Sequence, residues 1–187
     1  MSNSLLEIRN LLIEAEIEGD WKPIVNGLSL NLQKGEVVGL IGESGAGKST
    51  LGLAALGYTK PGCRIVSGSI CFDGQELTTL PEKQLRKLRG VRVSYVAQSA
   101  AAAFNPAHRL IDQFSETSIQ HGRLNASEAS QRGRELFRQL ELPDPDHFGE
   151  RYPHQVSGGQ LQRAMTAMAM GCQPDIVVFD EPTTALD

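Results

Sequence analysis

A glycine-rich segment, GESGAGKS from Gly42 to Ser49, has the residue types and spacing of a phosphate-binding loop. It fits the pattern G-x-x-x-x-G-K-[ST] at every fixed position. The glycines of such a loop let successive backbone N–H groups surround phosphate oxygens, and its lysine reaches the β- and γ-phosphates of a nucleotide. The sequence therefore predicts that Lys48 contacts these phosphates and that Ser49 holds Mg²⁺. The alternative is a glycine-rich turn with a surface lysine.

Two neighbouring carboxylates follow an apolar run in IVVFDE, from Ile176 to Glu181. Asp180 ends the expected strand, where its carboxylate can bind Mg²⁺ through the water shell of the metal. Glu181 is placed to polarise an attacking water as a general base. Taken alone, the pattern fits equally well a strand followed by a polar loop. Together with the phosphate loop, it favours a site for hydrolysis.

A glutamine, Gln98, ends the segment VSYVAQ. Its amide oxygen could bond Mg²⁺ or a metal-bound water, and the position could mark a hinge. Taken alone, a surface amide is the commoner explanation. The metal and catalytic roles of Gln98 therefore depend on the neighbouring motifs.

A second glycine-rich stretch, HQVSGGQLQRAMTAMAM, lies far along the chain from the phosphate loop. Ser157 can cap a helix N-terminus, and Gly158 and Gly159 let the backbone approach a ligand closely. This is the chemistry of a phosphate site, although a capped helix without a ligand has the same pattern.

The elements that must position these motifs alternate between strands and helices in the first part of the chain. GEVVGLIG, from Gly35 to Gly42, predicts a strand buried on both faces, and KSTLGLAALG predicts a helix ending at Gly57. From about Pro106 to Met170 helical spacing dominates, which predicts a mainly helical insertion in an α/β core. The other expected elements are strands in LLEIRNLLIEAEI, GLSLNLQ, GSICFDG, VRVSYVAQ and DIVVFDEP, and a helix in PEKQLRKLRG.

Composition limits the classes of protein to consider. The 187 residues are 40% hydrophobic and 21% charged, as in one globular domain with a smaller lobe at most. The net charge of −4 gives no electrostatic reason to bind nucleic acid, and we expect no such partner. The three cysteines suit reduced thiols in a cytosol. Without a signal-peptide pattern or a run of about 18 apolar residues, we expect a chain that is neither secreted nor membrane-spanning by itself.

The four motifs GESGAGKST, VSYVAQ, VSGGQLQRA and VVFDEPTTALD, in this order, resemble the ATP-binding cassette of ABC transporters. The resemblance extends from Leu5 to Asp187. FNP, at Phe104 to Pro106, and YPHQVSGGQLQRAMTAMAM are most similar to the ATPase subunits of oligopeptide, dipeptide and nickel importers. The resemblance implies ATP hydrolysis that energises a membrane transporter, with ATP and Mg²⁺ as cofactors.

The resemblance also assigns a role to each motif. It implies a catalytic base at Glu181, a Q-loop at Gln98 with catalytic and metal-binding roles, and a D-loop at Ala185 to Asp187. The metal ligands that it implies are Ser49, Gln98 and Asp180. The nucleotide-binding residues are Gly42, Glu43, Ser44, Gly45, Ala46, Gly47, Lys48, Ser49 and Thr50. The signature residues, which contact the ATP of a partner subunit, are Ser157, Gly158, Gly159 and Gln160.

Three departures from the family pattern limit this reading. Val156 begins the signature where the family has leucine, a conservative change at a packing position. Trp21 stands close to the place of the aromatic residue that stacks on adenine, but a loop tryptophan packed on its own lobe is an equally good explanation. The switch histidine of the family is expected beyond Asp187, so we expect the 187-residue chain alone to hydrolyse ATP poorly.

The resemblance implies an α/β fold: a P-loop NTPase core with a parallel central sheet, an N-terminal antiparallel β subdomain and an inserted α-helical subdomain. It implies one ABC ATPase domain over 1–187, with the nucleotide-binding core at 1–105 and 171–187 and the helical subdomain at 106–170. In this family two cassettes associate head to tail, and the signature of one covers the ATP held by the other. The expected partners are a second cassette and permease subunits at the cytoplasmic face of the plasma membrane. The second cassette could be identical, a homologue or a second half of the same longer chain.

Two alternatives come from other classes. A chromosome or DNA-repair cassette would carry long coiled coils between the phosphate loop and the signature. The segment between Lys48 and Ser157 is too short to contain them. A translation factor with paired cassettes would have a basic linker and a different sequence after DEP, where TTALD fits transporters better. The basic cluster between Lys83 and Arg92 fits RNA binding less well than a solvated helix face.

Overall fold

The computed structural model describes residues 4–43 and 45–181. The contacts divide the chain into two compact units, Met1–Arg86 and Lys87–Asp187. Strands and helices occur in both units, so the α/β class predicted from the sequence is confirmed. The finer division into a core at 1–105 and 171–187 and a helical subdomain at 106–170 stays a prediction.

A four-stranded antiparallel sheet builds the first unit. Its strands lie in the order β2-β1-β3-β4, with bounds β1 (Ser4–Ile17), β2 (Asp20–Gln33), β3 (Cys63–Phe72) and β4 (Gln75–Glu76). Apolar side chains of β1, such as Leu11 and Ile13, are fully buried. In the turn from β3 to β4, Asp73 and Gly74 both have positive φ, as a type I′ hairpin requires. The β-rich N-terminus predicted from the sequence is confirmed.

Both helices predicted in the first part of the chain are present. Helix α1 (Lys48–Ala54) follows the phosphate loop, and α2 (Glu82–Leu88) follows Pro81. Helix α1 ends at Ala54, before the predicted end at Gly57, which itself has a φ of 66°.

The strand predicted from Gly35 to Gly42 is wrong. Residues 36–43 have no regular secondary structure, and Val37 and Ile41 are 95% and 97% exposed. An apolar run becomes a buried strand only where another strand satisfies its backbone hydrogen bonds. Among the described residues, no strand pairs with this segment. The apolar run by itself contains no information about a pairing partner.

The second unit combines a short parallel sheet with helices. Strands β5 (Val93–Val96) and β6 (Ile176–Phe179) pair in parallel, with Tyr95 beside Val178. Strand β5 is shorter than the predicted segment Val91–Gln98. The helices are α3 (Ala100–Ala103), α4 (Leu110–Gln120), α5 (Ala126–Gln139) and α6 (Gly158–Met170), with 3₁₀ turns at Phe148–Glu150 and Pro153–Gln155.

Aromatic side chains fill the core of the second unit. Phe114, Phe137 and Phe148 are buried, and successive ring centroids lie 5.7 and 5.2 Å apart in edge-to-face contact. Val96 of β5 belongs to the same core, so the helices and the sheet share it. The mainly helical segment predicted from about Pro106 to Met170 is confirmed. Within the described part of the chain, no helix is long and apolar enough to cross a membrane.

Candidate functional site

The lysine of the phosphate loop is engaged with the loop itself. Lys48 Nζ donates hydrogen bonds to the carbonyl oxygens of Gly42, at 2.8 Å, and Glu43, at 2.7 Å. The ammonium group is therefore folded over the loop, which engages two of its three N–H donors. Ser44 lies outside the described residues.

Gly47 fixes the end of the phosphate loop. It has a φ of 81°, and a Cβ atom at this position would lie 2.5 Å from the carbonyl oxygen of Ile24 on β2. Only glycine satisfies both constraints without moving the backbone. The loop therefore contacts β2 directly, and Ser49 and Thr50 follow half-buried in the first turn of α1.

A cavity of about 200 Å³ lies between the phosphate loop and β2. The apolar part of its lining comes from β2, from the segment before the phosphate loop and from α1, and Gly47 and Lys48 contribute polar groups at the loop. The lining residues are Ile24, Val25, Asn26, Leu28, Leu40, Ile41, Ala46, Gly47, Lys48 and Leu51. Cavity and loop thus place apolar surface beside the predicted phosphate-binding groups.

Trp21, the candidate for adenine stacking, lies near the start of β2 and is 40% exposed. The guanidinium of Arg64 lies 4.0 Å from the centroid of its ring, and Arg64 also pairs with Glu14 at 2.7 Å. One face of the indole is therefore already covered by a cation. Trp21 is not among the residues that line the cavity, and its stacking role stays a prediction.

The two predicted carboxylates follow β6 in the second unit. The backbone N–H of Asp180 donates to the carbonyl oxygen of Val96 at 3.0 Å, which continues the parallel pairing past the end of the strand. Strand β6 becomes exposed towards this end, since Phe179 is 47% exposed. Glu181 has a φ of 46°, a left-handed conformation that is uncommon for a residue with a side chain. The carboxylates thus stand at the carboxyl end of a parallel strand pair.

Groups from the end of β5 hold both carboxylates. Tyr95 Oη donates to Asp180 Oδ2 at 2.5 Å, and Gln98 Nε2 donates to Glu181 Oε2 at 2.6 Å. Burial, together with the hydrogen bond and the negative charge of Asp180, raises the pKa of the Tyr95 hydroxyl, which therefore remains a donor. The structure brings Gln98 to the predicted base. The metal-binding role of Gln98 stays a prediction.

Tyr95 contacts a predicted site residue, Asp180, and the sequence analysis gave it no role. The available signal was the parallel pairing of VSYVAQ with IVVFDE, since paired residues of neighbouring strands share a face. This signal can be used only when the register of the two strands is known. In that register Tyr95 lies beside Val178, and Asp180 follows Val178 by two residues on the same face.

The signature segment forms a self-contained helix cap. Ser157 Oγ accepts a hydrogen bond from the Gln160 backbone N–H at 3.3 Å, and the Gln160 side chain accepts one from the Ser157 N–H at 3.1 Å. This reciprocal arrangement is a capping box. Ser157 and Gly158 are exposed, and a Cβ atom on Gly158 would meet nothing within 4 Å. Val156 packs against the core, as expected of a packing position.

Side chains of α6 also tie the signature helix to the rest of the second unit. Gln162, which is 3% exposed, donates from Nε2 to the carbonyl oxygen of Ala97 at 3.2 Å, directly before Gln98. Arg163 donates to the carbonyl oxygens of Leu140 and Glu141 at 3.0 and 2.7 Å. Helix α6 and the segment that ends at Gln98 are therefore linked by a partly buried hydrogen bond. The predicted D-loop, residues 185–187, lies outside the described residues.

Comparisons with known proteins identify the family that the sequence motifs resemble. The family model described as ABC transporter matches residues 25–184. The chain is 37% identical over 184 residues to the probable peptide ABC transporter ATP-binding protein y4tR of Sinorhizobium fredii, covering 98% of this chain and 55% of that protein. It is 38% identical over 184 residues to the dipeptide transport ATP-binding protein DppD of Escherichia coli, covering 98% and 56%. The chain spans about half the length of these relatives.

A solved structure is similar over most of the chain. The dimeric structure of a post-hydrolysis state of the ATP-binding cassette MJ0796, bound to ADP and Pi, has a TM-score of 0.85 and 26% sequence identity. The likeness covers 97% of this chain and 76% of that chain. The fold of an ATP-binding cassette is therefore supported by the backbone as well as by the motifs.

Proposed function

Since the chain belongs to the ABC transporter family, we propose that it is the ATP-binding and ATP-hydrolysing part of a membrane importer for peptides or nickel. The observation that carries the proposal is the pair of carboxylates after β6, each held by a group from the end of β5. In this proposal Asp180 serves as a metal ligand and Glu181 as the general base, and the phosphate loop supplies the nucleotide-binding groups.

Nucleotide binding begins at the phosphate loop in this proposal. Lys48 exchanges the carbonyl oxygens of Gly42 and Glu43 for the β- and γ-phosphates, which form stronger, charge-assisted hydrogen bonds. Backbone N–H groups of the loop surround the same phosphates. Gly47 keeps the loop in the required conformation because its backbone is packed against β2.

The proposed ligands carry oxygen donors of the kind that Mg²⁺ prefers. In the second unit Asp180 offers a carboxylate and Gln98 an amide oxygen, and in the first unit Ser49 offers a hydroxyl. When bound, the metal neutralises charge that develops on the phosphate oxygens. Asp180 is already restrained by its backbone bond to Val96 and its side-chain bond to Tyr95.

Glu181 acts as the base in the hydrolysis step. It accepts a proton from the attacking water, which requires that its carboxylate be available to that water. In the described conformation Gln98 donates to Glu181 Oε2, so a shift of Gln98 changes the environment of the base. Because Gln162 bonds to the residue before Gln98, movement of the signature helix has a direct route to this pair.

The signature segment serves a second cassette in this proposal. Ser157 and Gly158 are exposed, and the hydrogen bonds within the capping box are local. The related cassette MJ0796 was solved as a dimer with ADP and Pi. A partner cassette and membrane permease subunits are the proposed partners, and the cytoplasmic face of the membrane is the proposed location. The peptide cargo is supported by the names of the relatives y4tR and DppD.

The test is ATP turnover by the full-length protein carrying Glu181→Gln. We expect unchanged binding of ATP and Mg²⁺ and a turnover at least ~100-fold slower, since an amide cannot act as a base. Glu150→Gln, at an exposed glutamate elsewhere in the second unit, is the matched control and should turn over normally. Normal turnover of the Glu181 variant would show that another group is the base.

A further inference from the structure

We propose that Tyr95 is a positioning residue for the magnesium site, because its hydroxyl restrains the orientation of the Asp180 carboxylate. This inference rests on the proposed function, which makes Asp180 a metal ligand. It gives a role to a residue of VSYVAQ other than Gln98, to which the sequence alone assigned none.

The register of the parallel strands explains why a residue at position 95 can perform this role. Tyr95 pairs with Val178, and Asp180 follows on the same face two residues later. A tyrosine side chain is long enough to reach forward along the sheet, and its hydroxyl lies 2.5 Å from Asp180 Oδ2. A phenylalanine would fill the same space without the donor.

The hydrogen bond from Tyr95 orients the side chain of Asp180, whose backbone is already held in place. The hydrogen bond from the Asp180 N–H to the Val96 carbonyl oxygen fixes where the residue stands, at 3.0 Å. It leaves the side-chain torsions of Asp180 undetermined, and the terminal torsion of an aspartate is broad. The Tyr95 hydroxyl attaches the carboxylate itself, so Asp180 Oδ2 has a defined direction before a metal arrives.

A defined direction matters for Mg²⁺ in particular. This ion demands near-ideal octahedral geometry and keeps several of its waters, so a rotating carboxylate holds the metal or its water shell less well. Hydrogen-bond partners of metal ligands typically contribute 10- to 100-fold in metal affinity. The partial burial of the Tyr95 ring among its neighbours keeps the hydroxyl in place.

The experiment measures metal binding rather than activity. Mn²⁺ replaces Mg²⁺, and electron paramagnetic resonance counts free Mn²⁺ in the full-length protein saturated with a non-hydrolysable ATP analogue. We expect Tyr95→Phe to weaken Mn²⁺ binding about tenfold while leaving metal-free binding of the analogue unchanged. Tyr58→Phe, which removes a hydroxyl from the first unit, is the matched control and should bind Mn²⁺ normally.

A double-mutant cycle separates positioning from general destabilisation. If the hydroxyl acts through Asp180, Tyr95→Phe combined with Asp180→Asn should bind Mn²⁺ no more weakly than Asp180→Asn alone. Additive losses, or an unchanged affinity in Tyr95→Phe, would overturn the inference. If Asp180→Asn itself binds Mn²⁺ normally, the metal-ligand assignment in the proposed function fails, and the inference fails with it. Thermal unfolding of each variant ensures that all are compared in the folded state.

Discussion

The chain has two glycine-rich loops, each followed by a helix, and they are built in different ways. In the phosphate loop Gly47 has positive φ and is packed against β2, Lys48 is folded over its own loop, and α1 has no side-chain cap. In the signature, Ser157 and Gln160 cap α6 reciprocally, and Gly158 has open space around it.

The difference indicates which molecule each loop serves. The phosphate loop borders a cavity of its own unit and keeps its strongest donor in bonds that a ligand can replace. In the signature, the side chains of Ser157 and Gln160 form hydrogen bonds within the segment itself. Gly158 is exposed to solvent, so another molecule can approach the backbone closely there. We therefore expect the first loop to bind the nucleotide of its own chain and the second to contact the nucleotide of a partner.

The largest expected effect is the loss of ATP affinity when the lysine of the phosphate loop is replaced. Lys48→Ala removes the charge-assisted contact with the β- and γ-phosphates, so ATP affinity should fall by at least ~100-fold. A titration with a fluorescent ATP analogue measures this. Lys60→Ala, at an exposed lysine of the same unit, is the control. Unchanged affinity of the Lys48 variant would remove the phosphate loop from the account.

A smaller effect is expected on the free energy of unfolding when one glycine of each loop, Gly47 or Gly158, is replaced by alanine. Gly47→Ala forces a side chain into a positive φ and against the Ile24 carbonyl oxygen, so the free energy of unfolding should fall by about 2 kcal/mol or more. Gly158→Ala meets nothing within 4 Å and should change stability by about 0.5 kcal/mol, in the stabilising direction. Urea denaturation measures both. Equal losses would contradict the contrast between a packed loop and an open one.

The local placement of the candidate-site residues could be predicted where a short motif determines it. Lys48, Asp180, Glu181 and Ser157 follow from motifs whose residues are neighbours along the chain, and the structure places each at the helix or strand end that was expected. The Ser157 cap and the helix after it needed only local chemistry.

What the sequence could not show depends on pairing between distant segments. The strand expected at Gly35 to Gly42 failed because an apolar run does not specify its partner strand. The contacts of Tyr95 with Asp180 and of Gln162 with Ala97 join positions far apart in sequence. Their detection needs the register of β5 against β6 and the packing of α6, which periodicity does not determine.

The central claim is that the two loops act on the same nucleotide only across two chains, and Gly158→Asp tests it most directly. In one chain the new carboxylate has room, and an acidic residue in the first turn suits the helix dipole. In a closed dimer it would face a phosphate of the partner's nucleotide, where poorly solvated like charges repel strongly. We expect near-normal ATP binding by the monomer, with ATP-driven dimerisation and hydrolysis lost.

The decisive measurement is ATP turnover after mixing full-length Gly158→Asp with full-length Lys48→Ala, each inactive alone. In a mixed dimer one composite site carries both defects and the other carries neither, so the account predicts that activity returns in the mixture. If the mixture stays inactive while Gly158→Asp abolishes ATP binding by the isolated monomer, the signature acts on the nucleotide of its own chain, and the two-chain account is contradicted.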